Sequence, residues 1–159
     1  MSQIITIFIV RHGHAKFSGS TDFERPLKEK GIETVKQTVR FIQSQCVAHN
    51  LTPKHCISSA ATRTLETAQI IAQMINGINI DEYHELYATS VSAWLMKIES
   101  SLEKCLILVG HNPTFSQMVN YFCGHNLQMK PGECAMVKLE IKEDGIIYPA
   151  TLIDYHHNE

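Results

Sequence analysis

Ile4-Ile5-Thr6-Ile7-Phe8-Ile9-Val10-Arg11-His12-Gly13-His14 joins a run of β-branched and aromatic residues to an abruptly polar turn. A short run of this composition is a strand buried on both faces, the kind found inside parallel sheets. It is too short to span a bilayer, which takes about 20 apolar residues. No basic segment precedes it and no small-residue cleavage site follows, so it does not read as a signal peptide. A strand buried on both faces needs helices above and below, and the rest of the chain supplies them.

Residues 11–27 lack periodicity and contain Gly13, Ser18, Gly19, Ser20 and Pro26, which reads as a loop. From about Lys28, the positions Ile32, Val35, Val39, Ile42 and Cys46 form one stripe of an amphipathic helix, ended by Asn50 and Pro53. A short strand follows at His55 to Ser58. The second helix has the stripe Leu65, Ala68, Ala72 and Ile75, with Asn76-Gly77 as its stop. Residues 78–84 are a candidate strand. Val91, Leu95, Ile98 and Leu102 mark a third helix, with Ser90 or Ser92 as its cap. Cys105 to Val109 is an apolar strand broken at Gly110. Pro113 opens a fourth helix with Phe115, Met118, Val119 and Phe122 on its apolar side. Ala135, Val137, Leu139 and Ile141 then alternate with Met136, Lys138 and Glu140 as a half-buried strand. Asp144-Gly145 turns that strand into a hairpin with Ile146 to Tyr155. Alternating βα units followed by a hairpin predict an α/β layered fold with a mixed sheet.

The length, 159 residues, suits one domain covering 1–159. Lys plus Arg number 14 against 16 Asp plus Glu, for a net charge of -2, so bulk charge points to neither nucleic acid nor a membrane surface. With 44% hydrophobic residues the chain is no disordered segment. Cys46, Cys56, Cys105, Cys123 and Cys134 are odd in number, form no CxxC, and mostly sit in apolar runs. They read as reduced, buried thiols of a cytoplasmic protein.

In open α/β sheets, ligands bind in the loops beyond the carboxyl ends of the strands. Three such loops carry chemistry here: Arg11-His12-Gly13-His14, Ser58-Ser59 leading to Arg63, and Gly110-His111-Asn112-Pro113. Core packing does not predict two arginines and two histidines at equivalent strand ends. Guanidinium forks and imidazole donors suit a phosphoryl group, and the helix after Pro113 adds its positive end. His12 has the chemistry of a nucleophile that could carry the phosphoryl covalently. His12-x-His14 could also be read as a metal pair, but Arg11 beside it would repel a cation. No GxGxxG follows the first strand, which argues against a dinucleotide. Arg40 lies within the first helix, and His49, His55, His84 and His125 read as surface or loop residues. His156-His157 reads as a mobile terminal tail.

Arg11-His12-Gly13 resembles the RHG motif of the histidine phosphatase, or phosphoglycerate mutase-like, superfamily. Ser58-Ser59-Ala60-Ala61-Thr62-Arg63-Thr64-Leu65-Glu66-Thr67-Ala68 is similar to its SSPxxRAxxTA segment, with Ala60 in place of the usual proline. Val109-Gly110-His111-Asn112-Pro113 completes the series, and the motifs span almost the whole chain in order. Asp22-Phe23-Glu24-Arg25-Pro26-Leu27, with Lys30-Gly31 after it, resembles the D-x-x-R-P-L segment of the SixA phosphohistidine phosphatase branch. The resemblance implies a three-layer α/β/α sandwich with a mixed, mostly parallel central sheet. It implies His12 as the phosphorylated nucleophile, with Arg11, Arg63 and His111 lining the phosphate pocket. Arg25 and Asp22 would lie near the mouth, and Asn112 would help to bind substrate. No metal or other cofactor is implied.

One departure from the superfamily pattern is informative. Larger members carry a glutamate in an L-x-E segment, where it protonates the leaving oxygen. Here Leu86-Tyr87-Ala88 places alanine there, with Glu85 expected to point elsewhere and Asp22 or Glu85 as the only substitutes. Losing a general acid costs ester hydrolysis about 10² to 10⁴ in rate, whereas a phosphoramidate needs less help. Short insertions leave the pocket shallow and open. The expected activity is therefore dephosphorylation of phosphohistidine on a protein, such as a phosphotransfer domain, by a monomer that binds neither nucleic acid nor membrane. The alternatives are a phosphomonoesterase for a small metabolite and a non-catalytic phosphohistidine-binding module. The role of His14 stays open between pocket wall, support for His12 and plain surface.

Overall fold

Strand β1 (Gln3–Arg11) lies between partners of opposite sense, parallel β4 (Cys105–Gly110) and antiparallel β5 (Cys134–Lys142). The computed structural model describes residues 2–17 and 21–158. Within it, β2 (His55–Ser59) pairs in parallel with both β4 and the edge strand β3 (Asn79–Tyr83), and β6 (Gly145–His156) pairs antiparallel with β5. The sheet order is β3-β2-β4-β1-β5-β6, mixed and mostly parallel as expected.

Among the described residues four α-helices cover the sheet. Helices α1 (Glu29–His49) and α2 (Thr62–Met74) bury Val35, Val39, Ile42, Ala68 and Ile71 against Phe8, Val10, Ile107 and Val109. Helices α3 (Val91–Glu99) and α4 (Thr114–Cys123) bury Trp94, Ile98, Phe115, Met118 and Phe122 against Ile7, Ile9, Leu106 and Leu108. Odd and even residues of β1 and β4 thus feed opposite layers, which is why these strands read as unbroken apolar runs. Among the described residues no helix is long and apolar enough to cross a membrane. The loop expected at Ser18, Gly19 and Ser20 lies outside the described residues.

Four local expectations need correction. The buried face of α2 holds Thr64, Thr67, Ala68 and Ile71, rotated from the apolar stripe, because its first turn turns polar groups toward the strand ends. Leu102 is 90% exposed, since α3 stops at Glu99 and the chain turns to enter β4. Met136 is as buried as Ala135, because both faces of β5 are covered near its start. His156 is no loose tail: it closes β6 and packs on Phe41 with ring centroids 5.2 Å apart.

Strand register decides where the polar loops meet. Arg11 pairs with Gly110 and Ser58 with Val109, so β1, β2 and β4 end side by side on one edge. The loop after β1 is then clamped onto α1 at Gly31, where an added Cβ would fall on the backbone of His14. Gly31→Ala is expected to destabilise the chain by about 1–3 kcal/mol through overpacking, measured by urea denaturation. A Gly31→Ala variant of unchanged stability would show that the clamp is loose.

Candidate active site

The three strand ends bring Arg11, His12, Arg63 and His111 to one cleft of about 970 Å³, although they lie up to a hundred residues apart in sequence. His14, Asp22, Arg25, Tyr87, Ala88 and Asn112 also border it. His14 therefore stands at the cleft wall.

His12 follows the last residue of β1, and its amide donates to Gly110 O at 3.1 Å, continuing the ladder for one more step. Its side chain is in a residue only 8% exposed. His12 Nδ1 lies 2.7 Å from Gly13 O. A carbonyl only accepts, so the proton sits on Nδ1 and Nε2 keeps its lone pair. Arg63 Nε points at that Nε2 from 3.4 Å. Burial, with the neighbouring His111 imidazole and the charges of Arg63 and Arg11 adding to it, lowers His12 to about 3 against the opposing pull of the Gly13 carbonyl. His12 is thus a neutral imidazole at neutral pH, its unprotonated Nε2 accepting the long contact from Arg63 Nε.

Arg63 sits in the first turn of α2 and is itself buried. Its Nη1 donates to Asp22 O at 2.7 Å and its Nη2 to Asp22 Oδ2 at 3.1 Å. The Asp22 carboxylate also accepts from Tyr87 Oη and, at 3.0 Å, from Arg25 Nη1. Those hydrogen bonds, led by Tyr87 and Arg25, hold the Asp22 carboxyl well below its ordinary range. Asp22 is therefore an ionised counter-charge with no proton to give. Glu85 pairs with Lys97 at 3.5 Å and is not among the residues bordering the cleft, whereas Ala88 is. The short turn His84–Leu86, rather than a strand end, sets that direction.

Arg11 Nη1 donates to Met129 O at 2.8 Å, while its buried Nε has no partner among the described residues. The Asn112 amide is committed inward, donating to Met129 O at 2.9 Å and accepting from Ser116 N and Oγ at 3.1 and 2.9 Å. It braces the start of α4 against the segment that positions Arg11.

His111 stands 5.3 Å from His12, ring centre to ring centre, and burial lowers it to about 4, with Arg63 assisting. Its Nε2 meets Ser59 Oγ at 2.6 Å, and Ser59 Oγ meets Thr64 Oγ1 at 2.7 Å. The sequence motifs contain Ser59, Thr64 and Tyr87 but give none of them a place in the site. The doublet Ser58-Ser59 is visible in sequence, but only the rotation of α2 puts Thr64 beneath it. Among the described residues no group of three His, Cys, Asp or Glu side chains is arranged to hold a metal ion.

Comparison with known proteins agrees with this geometry. Residues 7–94 match the model of the histidine phosphatase superfamily, branch 1. Over 73 residues the chain is 34% identical to the mitochondrial serine/threonine-protein phosphatase PGAM5 of Xenopus laevis, covering 46% of this chain and 25% of that protein. The Xenopus tropicalis counterpart is 35% identical over 69 residues, 43% of this chain and 23% of its own length. The matched region thus spans about a quarter of these relatives. Among solved structures, SixA from Agrobacterium tumefaciens superposes with a TM-score of 0.81 at 22% identity, covering 98% and 99% of the two chains. The protein histidine phosphatase SixA complexed with tungstate gives 0.79 at 20% identity over 95% and 96%. Phosphoglycerate mutase from Bacillus anthracis gives 0.71 at 13% over 95% and 92%. The fold is accordingly the phosphoglycerate mutase-like α/β fold.

The lowered imidazoles have a consequence for stability. In the unfolded chain both bind a proton below about pH 6.5, but in the folded chain only near 3 for His12 and 4 for His111. The unfolded state therefore holds more protons through that window, and stability falls as pH falls. The urea midpoint is expected to be level above about pH 7 and to decline from about 6.5 toward 4. His12→Asn should flatten that decline; an unaltered slope would place the titration elsewhere.

Proposed function

From the premise that the chain belongs to the histidine phosphatase superfamily, branch 1, we propose that it is a phosphohistidine phosphatase acting on a phosphorylated protein. The observation that carries this reading is the Nε2 lone pair of His12, held by the Gly13 carbonyl and facing Arg63. Nε2 attacks the phosphorus in line. The N–P bond of the substrate breaks as the new one forms, and the departing imidazole takes one proton on its remote nitrogen. Solvent can supply that proton, because an ordinary imidazole titrates near 6.5. Water then attacks phospho-His12, releases phosphate and restores the free imidazole. Arg11 and Arg63 carry the charge of the transferring group, a contribution worth about 10³ to 10⁵ where a comparable arginine acts.

His111 serves as an uncharged donor in this scheme. The single Thr64 hydroxyl proton has three acceptors in reach, Ser59 Oγ at 2.7 Å, Ala61 O at 2.9 Å and Ser59 O at 3.0 Å. Both carbonyls also accept elsewhere, from Leu65 N and Ser58 Oγ, and in this scheme the proton goes to the nearest acceptor, Ser59 Oγ. Ser59 then donates to His111 Nε2, which leaves the His111 proton on Nδ1 for a phosphoryl oxygen. Supporting a phosphoramidate over an ester is the lack of an acid: Ala88 stands where a glutamate would act, and Asp22 is held ionised. Arg25, together with Asp22, would orient the substrate at the mouth, and Asn112 would act by bracing rather than touching it. A second reading, a phosphomonoesterase acting on phosphoserine or phosphothreonine in a protein rather than on the small metabolite expected from the sequence, is favoured by the 34% identity over 73 residues to a serine/threonine-protein phosphatase.

Substrate preference and the fate of His12 test the proposal. A metal-free panel should show turnover of phosphohistidine proteins well ahead of phosphoserine peptides, sugar phosphates and nucleotides. The reverse order would transfer the chain to the second reading. His12→Ala should abolish both turnover and the acid-labile label on the enzyme; unchanged turnover sinks the nucleophile. Ser59→Ala should lower kcat by about five- to tenfold, the worth of one hydrogen bond, and move the ¹⁵N shifts of His111 toward a tautomer mixture. Ser59→Thr should restore both.

A further inference from the structure

Beside the catalytic groups lies a two-stranded ribbon of which their chemistry uses only Arg25. Segments 14–17 and 25–28 run antiparallel: Lys16 N donates to Pro26 O and Lys28 N to His14 O, both at 2.8 Å, and Ala15 bridges Leu27. Arg25 Nε ties the end of the ribbon to Lys16 O at 2.6 Å. Glu66, on α2, accepts from Leu27 N at 2.7 Å, and Gly31 packs beneath His14, so the ribbon is pinned to both helices of one layer. At its end Phe17 is 85% exposed. The Arg25 guanidinium lies 4.8 Å from the Phe17 ring centre and Lys28 Nζ lies 5.5 Å from it.

Burying a phenylalanine side chain is worth about 1.5–3 kcal/mol, and this one forgoes it. The two cations return only about 0.5–1 kcal/mol each at an exposed site. Charge is equally uneven. Arg11, Arg25, Lys28 and Arg63 border the cleft together with one carboxylate, Asp22, which already faces Arg25, Arg63 and Tyr87. In a chain of net charge -2, that is a local excess of positive charge. A phosphoryl group at His12 occupies Arg11 and Arg63. Lys28 and the face of Phe17 are left for whatever bears the phosphoryl group.

We propose that this ribbon is the docking surface for the phosphorylated protein, and that the surface it fits is acidic with an apolar side chain close to the phosphohistidine. The inference rests on the phosphohistidine reading and adds the recognition that selects a protein over a small phosphoramidate. Complementary charge at such a rim raises the encounter rate and fixes orientation. An apolar contact beside it supplies the anchor.

The probes are free phosphoramidate and an acidic histidine phosphotransfer domain phosphorylated with phosphoramidate. A version of that domain with the carboxylates around its histidine changed to amides completes the set. Phe17→Ser and Lys28→Glu alter exposed side chains, so their melting temperatures should match the wild type. Each should lower kcat/KM on the acidic domain about tenfold, through KM, and leave phosphoramidate turnover unaltered. Lys28→Glu should matter little on the amide version. Variants that keep pace with the wild type on the acidic domain, or that lose both substrates equally, overturn the docking surface while the phosphohistidine reading stands. A wild type that leaves the phosphorylated domain intact yet hydrolyses phosphate esters overturns both. Binding of the wild type to phosphatidylserine vesicles, lost in Lys28→Glu with domain turnover intact, would assign the ribbon to lipid instead.

Discussion

Parallel pairing of β4 with both β1 and β2 places three carboxyl-terminal strand ends on one edge, and every other feature of the site depends on that register. With Arg11 opposite Gly110 and Ser58 opposite Val109, the loops after these strands share one space without reaching for each other. The antiparallel strand β5 covers the other side of β1 and ends the parallel block, and the segment before β5 returns across the cleft. From it, Met129 O accepts from both Arg11 and Asn112. A slip of one residue would send His12 and His111 into opposite layers, because side chains alternate along a strand.

Crowding cations and imidazoles into a buried pocket opposes folding, and the structure distributes that cost. Burial drives His12 and His111 to the neutral form, which removes two charges from the set. Asp22 balances Arg63 and Arg25 from the outer side, while Glu133, almost fully buried, stands behind Arg11. Burial works to raise the Glu133 carboxyl, but donors from Lys130 N, Tyr155 Oη and Asn158 N hold it below its ordinary value. The same carboxylate ties residues 155–158 to the site through Tyr155 Oη and Asn158 N, which is why this stretch packs on the fold rather than forming the tail expected at His156-His157. The side chains that suit an anion are therefore also the ones that would cost most if their supports were removed.

Helices and strands are legible in the sequence wherever burial follows a simple period. The apolar stripe of α1 and the strands β1 and β4 are examples. The hairpin expected at Asp144-Gly145 is also present, but Lys142 pairs with Gly145, so its two turn residues are Glu143 and Asp144, one place earlier than read. The period misleads where function enters the core. In α2, Thr64 and Thr67 are buried to serve Ser59 and the amide of Gly13, so the apolar stripe and the buried face do not coincide. Leu102 belongs to the α3 pattern by spacing alone, and the tight connection to β4 leaves it outside. Trp94 is absent from the stripe read for that helix, yet it fills the space beneath Phe115 with ring centres 4.7 Å apart.

By itself the sequence determined the order of elements and the residues that must stand at strand ends, because hydrophobic periodicity records which side of an element is buried. That was enough to gather Arg11, His12, Arg63 and His111 at one rim. Only the tertiary structure decided which groups complete them: the Ser59–Thr64 hydroxyls under His111, the Tyr87 phenol on Asp22, and Phe17 held outward between two cations. These contacts join segments distant in sequence through loops that have no period. They follow from sheet order and helix rotation, which the packing of the whole layer sets.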